Sequence, residues 1–464
     1  MKKILPCLFI VFGISSCNIY KSYERPDMEV SDDLYRQASV QEDTVSLAML
    51  SWRELFTDEN LQALIDTGLK NNTDLEIARL KVKEAEALLL SSKLAYVPSL
   101  SLNAQGTLNS VGGAAPSKSY ELAASSEWEI DIFGKLLNAK RGAKAAVEQS
   151  EAYRQAVQTQ LVATIANSYY TLLMQDEQLR IMRRTAETWE DNVRVMKAMK
   201  DAGQTTEMAV AQVEANRLSV EASIVSTERQ INEIENSLSV LLGLSPQQIK
   251  RSTLDAQSFP DTLSTGVPLQ LLSRRPDVKQ AEQALAVAYY ATNQARSAFY
   301  PSITLGGSVG WSDGSGAAIS NPGDWLFSAV GSLVQPLFNR GKNIANLEIA
   351  KAQQQEALLS FKQSLLNAGA EVNDALMQWQ SARKRIELDK QQTEALESAL
   401  RSSELLMQYS SQNYLEVITA RQALLQAELN IVNDRFDRIQ GVINLYHALG
   451  GGYEIKERSD EHLP

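Results

Sequence analysis

The 464-residue chain is short of the side chains that most enzymes use for chemistry. It has two cysteines, Cys7 and Cys17, and two histidines, His447 and His462. Neither pair has metal-ligand spacing, and there is no phosphate loop and no serine nucleophile elbow. The sequence therefore predicts no catalytic centre and no metal site. Positive charge is also in deficit: 45 Lys and Arg stand against 56 Asp and Glu, for a net charge of −11. No basic stripe exists to track phosphates, which argues against nucleic acid as a partner. No run after the N-terminus reaches the length of apolar chain that a membrane-spanning helix needs. A β-barrel escapes that test, because its strands are short and alternating. Finally, 143–202, 204–242 and 370–440 contain neither Gly nor Pro.

Those three stretches are rich in Ala, Gln, Glu, Leu and Lys, with apolar residues at helical spacing. They read as long helices. One from about 136 to 201 would be about 100 Å long. Helices of that length need lateral partners, so coiled-coil-like packing is expected. At the N-terminus Lys2 and Lys3 precede an apolar run, Ile4 to Ile14, of signal-peptide length. Ile14-Ser15-Ser16-Cys17 then resembles a bacterial lipobox, in which Cys17 would carry lipid and begin the mature chain. An ordinary signal peptide with an incidental Cys17 is the alternative. Lipidation would leave no thiol pair and add membrane affinity without spanning. A covalent lipid on Cys17 is the only prosthetic group expected; no cofactor is.

Two segments, 98–133 and 301–338, differ from the rest. They are Gly- and Ser-rich and alternate with period two. In 119–132 the even positions run Tyr120, Leu122, Ala124, Ser126, Trp128, Ile130 and Ile132; the odd ones are polar, acidic or small. Ile303, Leu305, Gly307, Val309 and Trp311 repeat the pattern. A strand with one lipid face and one aqueous face needs it, and so does an ordinary half-buried strand. Turn residues split each segment, at 111–116 and at 312–323, so each reads as a hairpin of bilayer-crossing length. Phe299, Tyr300 and Phe338 bracket the second hairpin on its helix side and Trp311 and Trp325 on its loop side, as interfacial aromatics would.

The chain is duplicated. At an offset of 203, Pro98-Ser99 falls on Pro301-Ser302 and Leu102 on Leu305; after the hairpins the offset is 207, and Gly134-Lys135 falls on Gly341-Lys342. The period is too long for a solenoid. It is a tandem repeat of helix, strand, strand, helix, helix. Four strands cannot close a bilayer barrel, whose smallest examples have about eight. Oligomerisation follows, and a trimer would supply twelve strands.

Several stretches, in this order and spacing, resemble TolC/OprM-type outer-membrane factors, most closely the NodT-like efflux lipoproteins. They are Trp52 to Leu61, Pro98-Ser99-Leu100, Trp128 to Gly134, Leu241 to Pro246, Arg274 to Ala281, Phe299 to Ile303 and Tyr414 to Ala420. The resemblance implies an all-α protein with inserted β-hairpins, a homotrimer with a twelve-stranded β-barrel in the outer membrane continued by a twelve-helix periplasmic α-barrel. It divides the chain into a signal peptide (1–16), a lipidated arm and equatorial segment (17–72), and a helix (73–97). A β-hairpin (98–133), a helical hairpin (134–242) and an equatorial linker (243–270) follow. The second copy gives a helix (271–300), β-hairpin (301–338) and helical hairpin (339–449), with an equatorial tail at 450–464. It implies a passive efflux duct that docks to a periplasmic adaptor and an inner-membrane pump of the resistance-nodulation-division type. A duct for type I protein secretion is the rival within the family; a lipid-anchored periplasmic scaffold without a pore is the rival outside it.

The helical hairpin tips should lie at Gly203, Gln204 and Thr205 and at Ser410, Ser411 and Gln412, where an adaptor would dock. In the family the second tip carries two acids that line a closed aperture. Here Glu416 matches the first, and Thr419 stands in place of the second. Glu416 is thus a gate residue or a solvated helix acid. Other motifs read as structural: Ser51 and Glu54 as a capping box, Pro276 and Asp277 as a helix start, and the methionines as packing filler.

Overall fold

In a computed structural model, residues 20–26, 50–113, 115–259, 275–313, 324–409 and 414–451 are described. Repeat one comprises α3 (Thr73–Leu94), β1 (Ser99–Asn109), β2 (Ser117–Ile130), α4 (Lys135–Asp201) and α5 (Glu207–Leu241). Two short helices, α1 (Trp52–Leu55) and α2 (Glu59–Asn71), precede it. Repeat two comprises α6 (Pro276–Ser297), β3 (Ser302–Asp313), β4 (Asp324–Val334), α7 (Lys342–Tyr409) and α8 (Tyr414–Ala448). The copies match in their bounds. The first sequence offset carries both ends of α3 onto both ends of α6, and the second carries both ends of α5 onto those of α8. Helix α7 extends further back than its Gly-free stretch, to Lys342, because it continues through Gly369. Of the expected equatorial segments, 17–19, 27–49, 260–270 and 452–464 lie outside the described residues, as do the expected signal peptide and Cys17.

The chain forms two compact units, and α3, α4, α6 and α7 contribute to both. The first unit holds the four strands in one antiparallel sheet, order β1-β2-β3-β4. The β1–β2 turn uses Gly112 and Gly113 at φ 63° and 82°, conformations that favour glycine. Beside the sheet, Ala145 of α4 packs with Ala286 and Tyr290 of α6. Gly142 lies against the same tyrosine, where a Cβ would make an ordinary contact at 3.4 Å with that of Tyr290. Residues 20–26 lie along α6. The Tyr23 N–H donates to Tyr290 Oη (3.1 Å), Tyr289 Oη donates to the Lys21 carbonyl (3.1 Å), and Arg25 faces Glu282.

The second unit packs the remaining lengths of α4, α5, α7 and α8 with α1 and α2. Its largest fully buried side chains include Trp52, Phe56, Tyr169, Tyr170 and Trp189. The α1 capping box forms as its local spacing predicts, with Ser51 and Glu54 each bonding the other's backbone. Gly441 lets α8 approach α7 closely, because a Cβ there would sit 2.9 Å from the Trp379 nitrogen. Asp58 caps α2 and also accepts bonds from Tyr169 Oη (2.7 Å), Gln257 Nε2 (2.9 Å) and Ser252. Burial alone would raise its pKa, and these bonds outweigh it and lower it. One carboxylate thus pins three distant segments.

Arg275 is buried and donates to the Ala448 carbonyl (2.8 Å), to Asp277 and to Glu371. It fixes the start of α6 to the end of α8, a structural role. His447 lies within the field of this cluster. Burial lowers its pKa below the ordinary 6.5; the Arg275 cation adds to this, against Glu371 and Asp277. The unfolded chain therefore takes up the proton first as pH falls. Stability is expected to be full above pH 6.5 and to decline below it, by at most about 1.4 kcal/mol per pH unit. Urea denaturation of a His447→Gln variant should show a shallower pH dependence over that window. An unchanged slope would show that the imidazole titrates alike in both states.

Candidate functional site

The register of the sheet brings the alternating residues of both hairpins onto common faces. Leu102 stands opposite Ala124, Ala124 opposite Val309, and Val309 opposite Phe327. The same parity gives one face Leu100 and Leu108 from β1, Leu122 and Trp128 from β2, Leu305 and Trp311 from β3, and Trp325 and Leu333 from β4. No described residue covers this face: Leu100 is 81% exposed and Phe327 82%. So large an exposed apolar surface marks contact with another apolar phase.

The opposite face is mostly polar, Leu326, Val330 and Val334 of β4 apart. Ser101 and Ser125 hydroxyls bond at 2.7 Å, Asn103 donates to Ser125 (2.9 Å), and the Ser308 and Ser328 hydroxyls bond at 2.8 Å. Glu121, Glu127 and Glu129 share it, with no Lys or Arg on that face of any of the four strands. One side of the sheet thus suits hydrocarbon and the other water.

Aromatic residues mark both ends of the apolar band. Trp311 and Trp325 pack edge-to-face at 5.5 Å on the loop side, and Tyr120 stands two residues further toward the loop, opposite Asp313. On the helix side Trp128 donates to the Tyr96 carbonyl (3.0 Å), and Phe133 stacks on Tyr300 at 5.0 Å. Tyr120 to Trp128 covers about 26 Å of strand. That is an interfacial aromatic belt at each edge of an apolar stripe. No helix among the described residues is long and apolar enough to cross a membrane.

The helical hairpin tips belong to the second unit. Helix α4 ends at Gly203 (φ 71°), where the Gln204 N–H bonds the Met199 carbonyl (2.8 Å) and the Gly203 N–H bonds that of Lys200 (2.9 Å). This is a Schellman ending, and Thr206 then caps α5. Gly203 and Gln204 are exposed, Thr205 partly so. The expected second tip, Ser410, Ser411 and Gln412, lies outside the described residues. Glu416 is exposed in the first turn of α8, with no ion pair among the described residues; Thr419 bonds the Leu415 carbonyl (2.8 Å).

Below the tips, Trp189, Met196, Val210, Val213 and Ile418 form an apolar core, so Met196 packs there as filler. Polar ties join α8 to the first hairpin: Arg184 with Glu428 (2.6 Å), Gln178 with Asn433 (2.7 Å) and Gln422 with Asn216 (2.9 Å). Sequence reasoning did not find these ties. Their partners come from opposite repeats, and no local pattern marks them.

The outer membrane efflux protein family profile matches residues 64–244 and 267–451, most of the chain. The chain belongs to the outer membrane efflux protein family. Like the cation efflux system protein CusC of Escherichia coli O6:H1, it carries the fold along nearly its whole length: identity is 28%, over 97% of this chain and 99% of the relative. A probable outer membrane lipoprotein, SilC of Salmonella typhimurium, is 29% identical over 96% of this chain and 97% of its own. A crystal structure of CusC superposes with a TM-score of 0.84 at 28% identity, covering 93% of this chain and 99% of that one. As an outer membrane efflux protein, the chain is an efflux channel component, and its sheet is the part that meets lipid.

Proposed function

We propose that three copies form one passive duct through the outer membrane, exporting small molecules handed on by an inner-membrane pump. The observation that carries this reading is the sheet: one face apolar and exposed, the other mostly polar, with β1 and β4 as open edges. Unpaired backbone is too costly in lipid, so the edges must pair between copies. Three copies give a twelve-stranded barrel with a water-filled lumen, continued by a twelve-helix barrel from α4, α5, α7 and α8. The duct performs no catalysis. A periplasmic adaptor would dock at Gly203, Gln204 and Thr205 and at Ser410, Ser411 and Gln412. A pump of the resistance-nodulation-division type would supply the energy. Purified trimers should conduct ions in planar bilayers; folded trimers without conductance would overturn the reading.

Glu416 is proposed as the lumen acid of the periplasmic constriction, where three carboxylates would attract cations. Glu416→Ala should lower cation selectivity by about threefold or more in single-channel recordings. Unchanged selectivity would leave Glu416 a solvated helix acid. Cys17 is proposed as the lipidated residue. Tyr20, three residues on, packs against Gly134, just past the end of β2. Cys17 itself lies outside the described residues, of which Tyr20 is the first. Cys17→Ala should abolish incorporation of labelled palmitate, and retained label would refute the assignment.

A further inference from the structure

The chain is acidic as a whole and basic where its strands meet its helices. Residues 92–98, 131–145, 294–301 and 335–346 adjoin the helix-side ends of the four strands. They hold eight Lys and Arg and a single acid, Asp131, in a chain where acids outnumber bases 56 to 45. The stretches that join the strands at the other end, 110–116 and 314–323, carry no charged residue. Positive charge confined to one rim of a membrane sheet is complementary to anionic headgroups at that level. We propose that Lys93, Lys140 and Arg141 hold the phosphate of an anionic phospholipid of the periplasmic leaflet, with Tyr96 between them. This rests on the lipid-facing reading of the sheet's apolar side.

The geometry sets both the depth and the side. Trp128 stands on the apolar face in the helix-side aromatic belt, and its indole N–H donates to the Tyr96 carbonyl (3.0 Å). The Lys140 ammonium lies 5.7 Å from the centre of the Tyr96 ring. Arg141 is near enough to act electrostatically on the Tyr96 hydroxyl. Lys93 is exposed in the last turn of α3, three residues before Tyr96. These cations therefore sit at belt level on the lipid side, where headgroup phosphates lie. Lys135 makes the contrast. It bonds Glu129 (2.7 Å), a residue of the polar face, and so turns away from lipid.

The three cations are also uncommitted. Lys144, one turn beyond Lys140, faces Glu148 (3.7 Å). Lys93, Lys140 and Arg141 have no carboxylate partner among the described residues. One arm of Arg141, Nη1, is enclosed and meets no acceptor among those residues. The local acid, Asp131, is given to the Leu137 N–H (2.7 Å) at the start of α4 and to Tyr96 Oη (3.5 Å). A guanidinium left without an acceptor keeps its attraction for a phosphate oxygen. Leu94, Val97 and Ile132 are exposed close by in the chain. Cations beside exposed apolar side chains suit a headgroup that carries acyl chains; a free phosphate would use only the cations.

Lipid counting on the full lipoprotein, purified in neutral detergent, tests the site by native mass. Wild type should bind phosphatidylglycerol in preference to phosphatidylethanolamine by at least about fivefold per copy. Lys140→Gln with Arg141→Gln should remove most of that preference. Lys140→Arg with Arg141→Lys, which keeps both charges, should retain it, as should Lys118→Gln at the loop-side end of β2. Raising ammonium acetate from about 0.1 to 0.5 M should weaken the preference, because screening acts on the charges alone. Equal binding of the two lipids by wild type would overturn the proposal, and so would an unchanged preference in the folded Gln double variant. Complete displacement of the lipid by excess inorganic phosphate would give the site to free phosphate instead. If the double variant does not fold, the wild-type and salt measurements still decide. Counts are per copy, so a monomeric mass would overturn the trimer and leave the preference to be read. Conducting trimers without the preference would sink this site alone.

Discussion

Val309→Arg should destabilise the membrane-embedded protein by about 2–4 kcal/mol, whereas Ser308→Arg, one residue earlier, should cost under about 1. Val309 lies in mid-strand, level with Ala124 and Phe327 and between the two aromatic belts. Its side chain is on the uncovered apolar face. An Arg there must bring its charge into hydrocarbon or distort the strand to reach the interface. Ser308 points the other way and loses only its bond to Ser328. An Arg there would stand in the polar face among Glu121 and Glu127, where a cation is favoured. Urea titration in phospholipid vesicles, read by tryptophan fluorescence, gives both values. Equal costs would mean that the faces have been assigned to the wrong solvents.

Gly310→Val should be at least as disruptive, by about 3 kcal/mol or more, through sterics alone. A Cβ at 310 would lie 2.2 Å from the Leu122 carbonyl oxygen and 2.6 Å from the Ala123 Cα. Both obstacles are backbone of β2, so no side-chain rotation relieves them. The strands would have to part at the β2–β3 pairing, which joins the two hairpins. Gly306 provides the control, since a Cβ there meets nothing nearer than 3.8 Å. Gly306→Ala should therefore fold in normal yield. The readout is the fraction of heat-resistant trimer on unboiled gels. Normal trimer from Gly310→Val would rule out the close strand approach at that position.

Much of this architecture was legible in the sequence because it is local. The capping box needs only Ser51 and Glu54, a single helical turn. The end of α4 at Gly203 and the turn at Gly112-Gly113 need only residues that tolerate positive φ. The period-two alternation marked both hairpins, and the two repeat offsets recur in the element bounds. Glycine was the less dependable guide inside helices. Gly369 and Gly441 sit within α7 and α8 without ending them, and Gly441 is kept for close approach to Trp379. The Arg275 side chain was also richer than its motif: the sequence shows a helix start, and the structure adds a buried tie to the far end of the chain.

By itself the sequence determined the long helices, the two hairpins, the duplication and the two-faced character of each strand. Each is a periodicity or a local preference, or a comparison of one stretch with another. Only the tertiary structure decided that β2 lies against β3, and that Leu122 meets Trp311 while Glu121 meets Ser312. That pairing is non-local, and four strands with the same alternation could have combined in several orders. The order adopted leaves β1 and β4 as the edges and puts every aromatic side chain of the strands on one face. Hydrogen-bond satisfaction in lipid then requires another copy at each edge, which is why one chain's fold carries the demand for its own assembly.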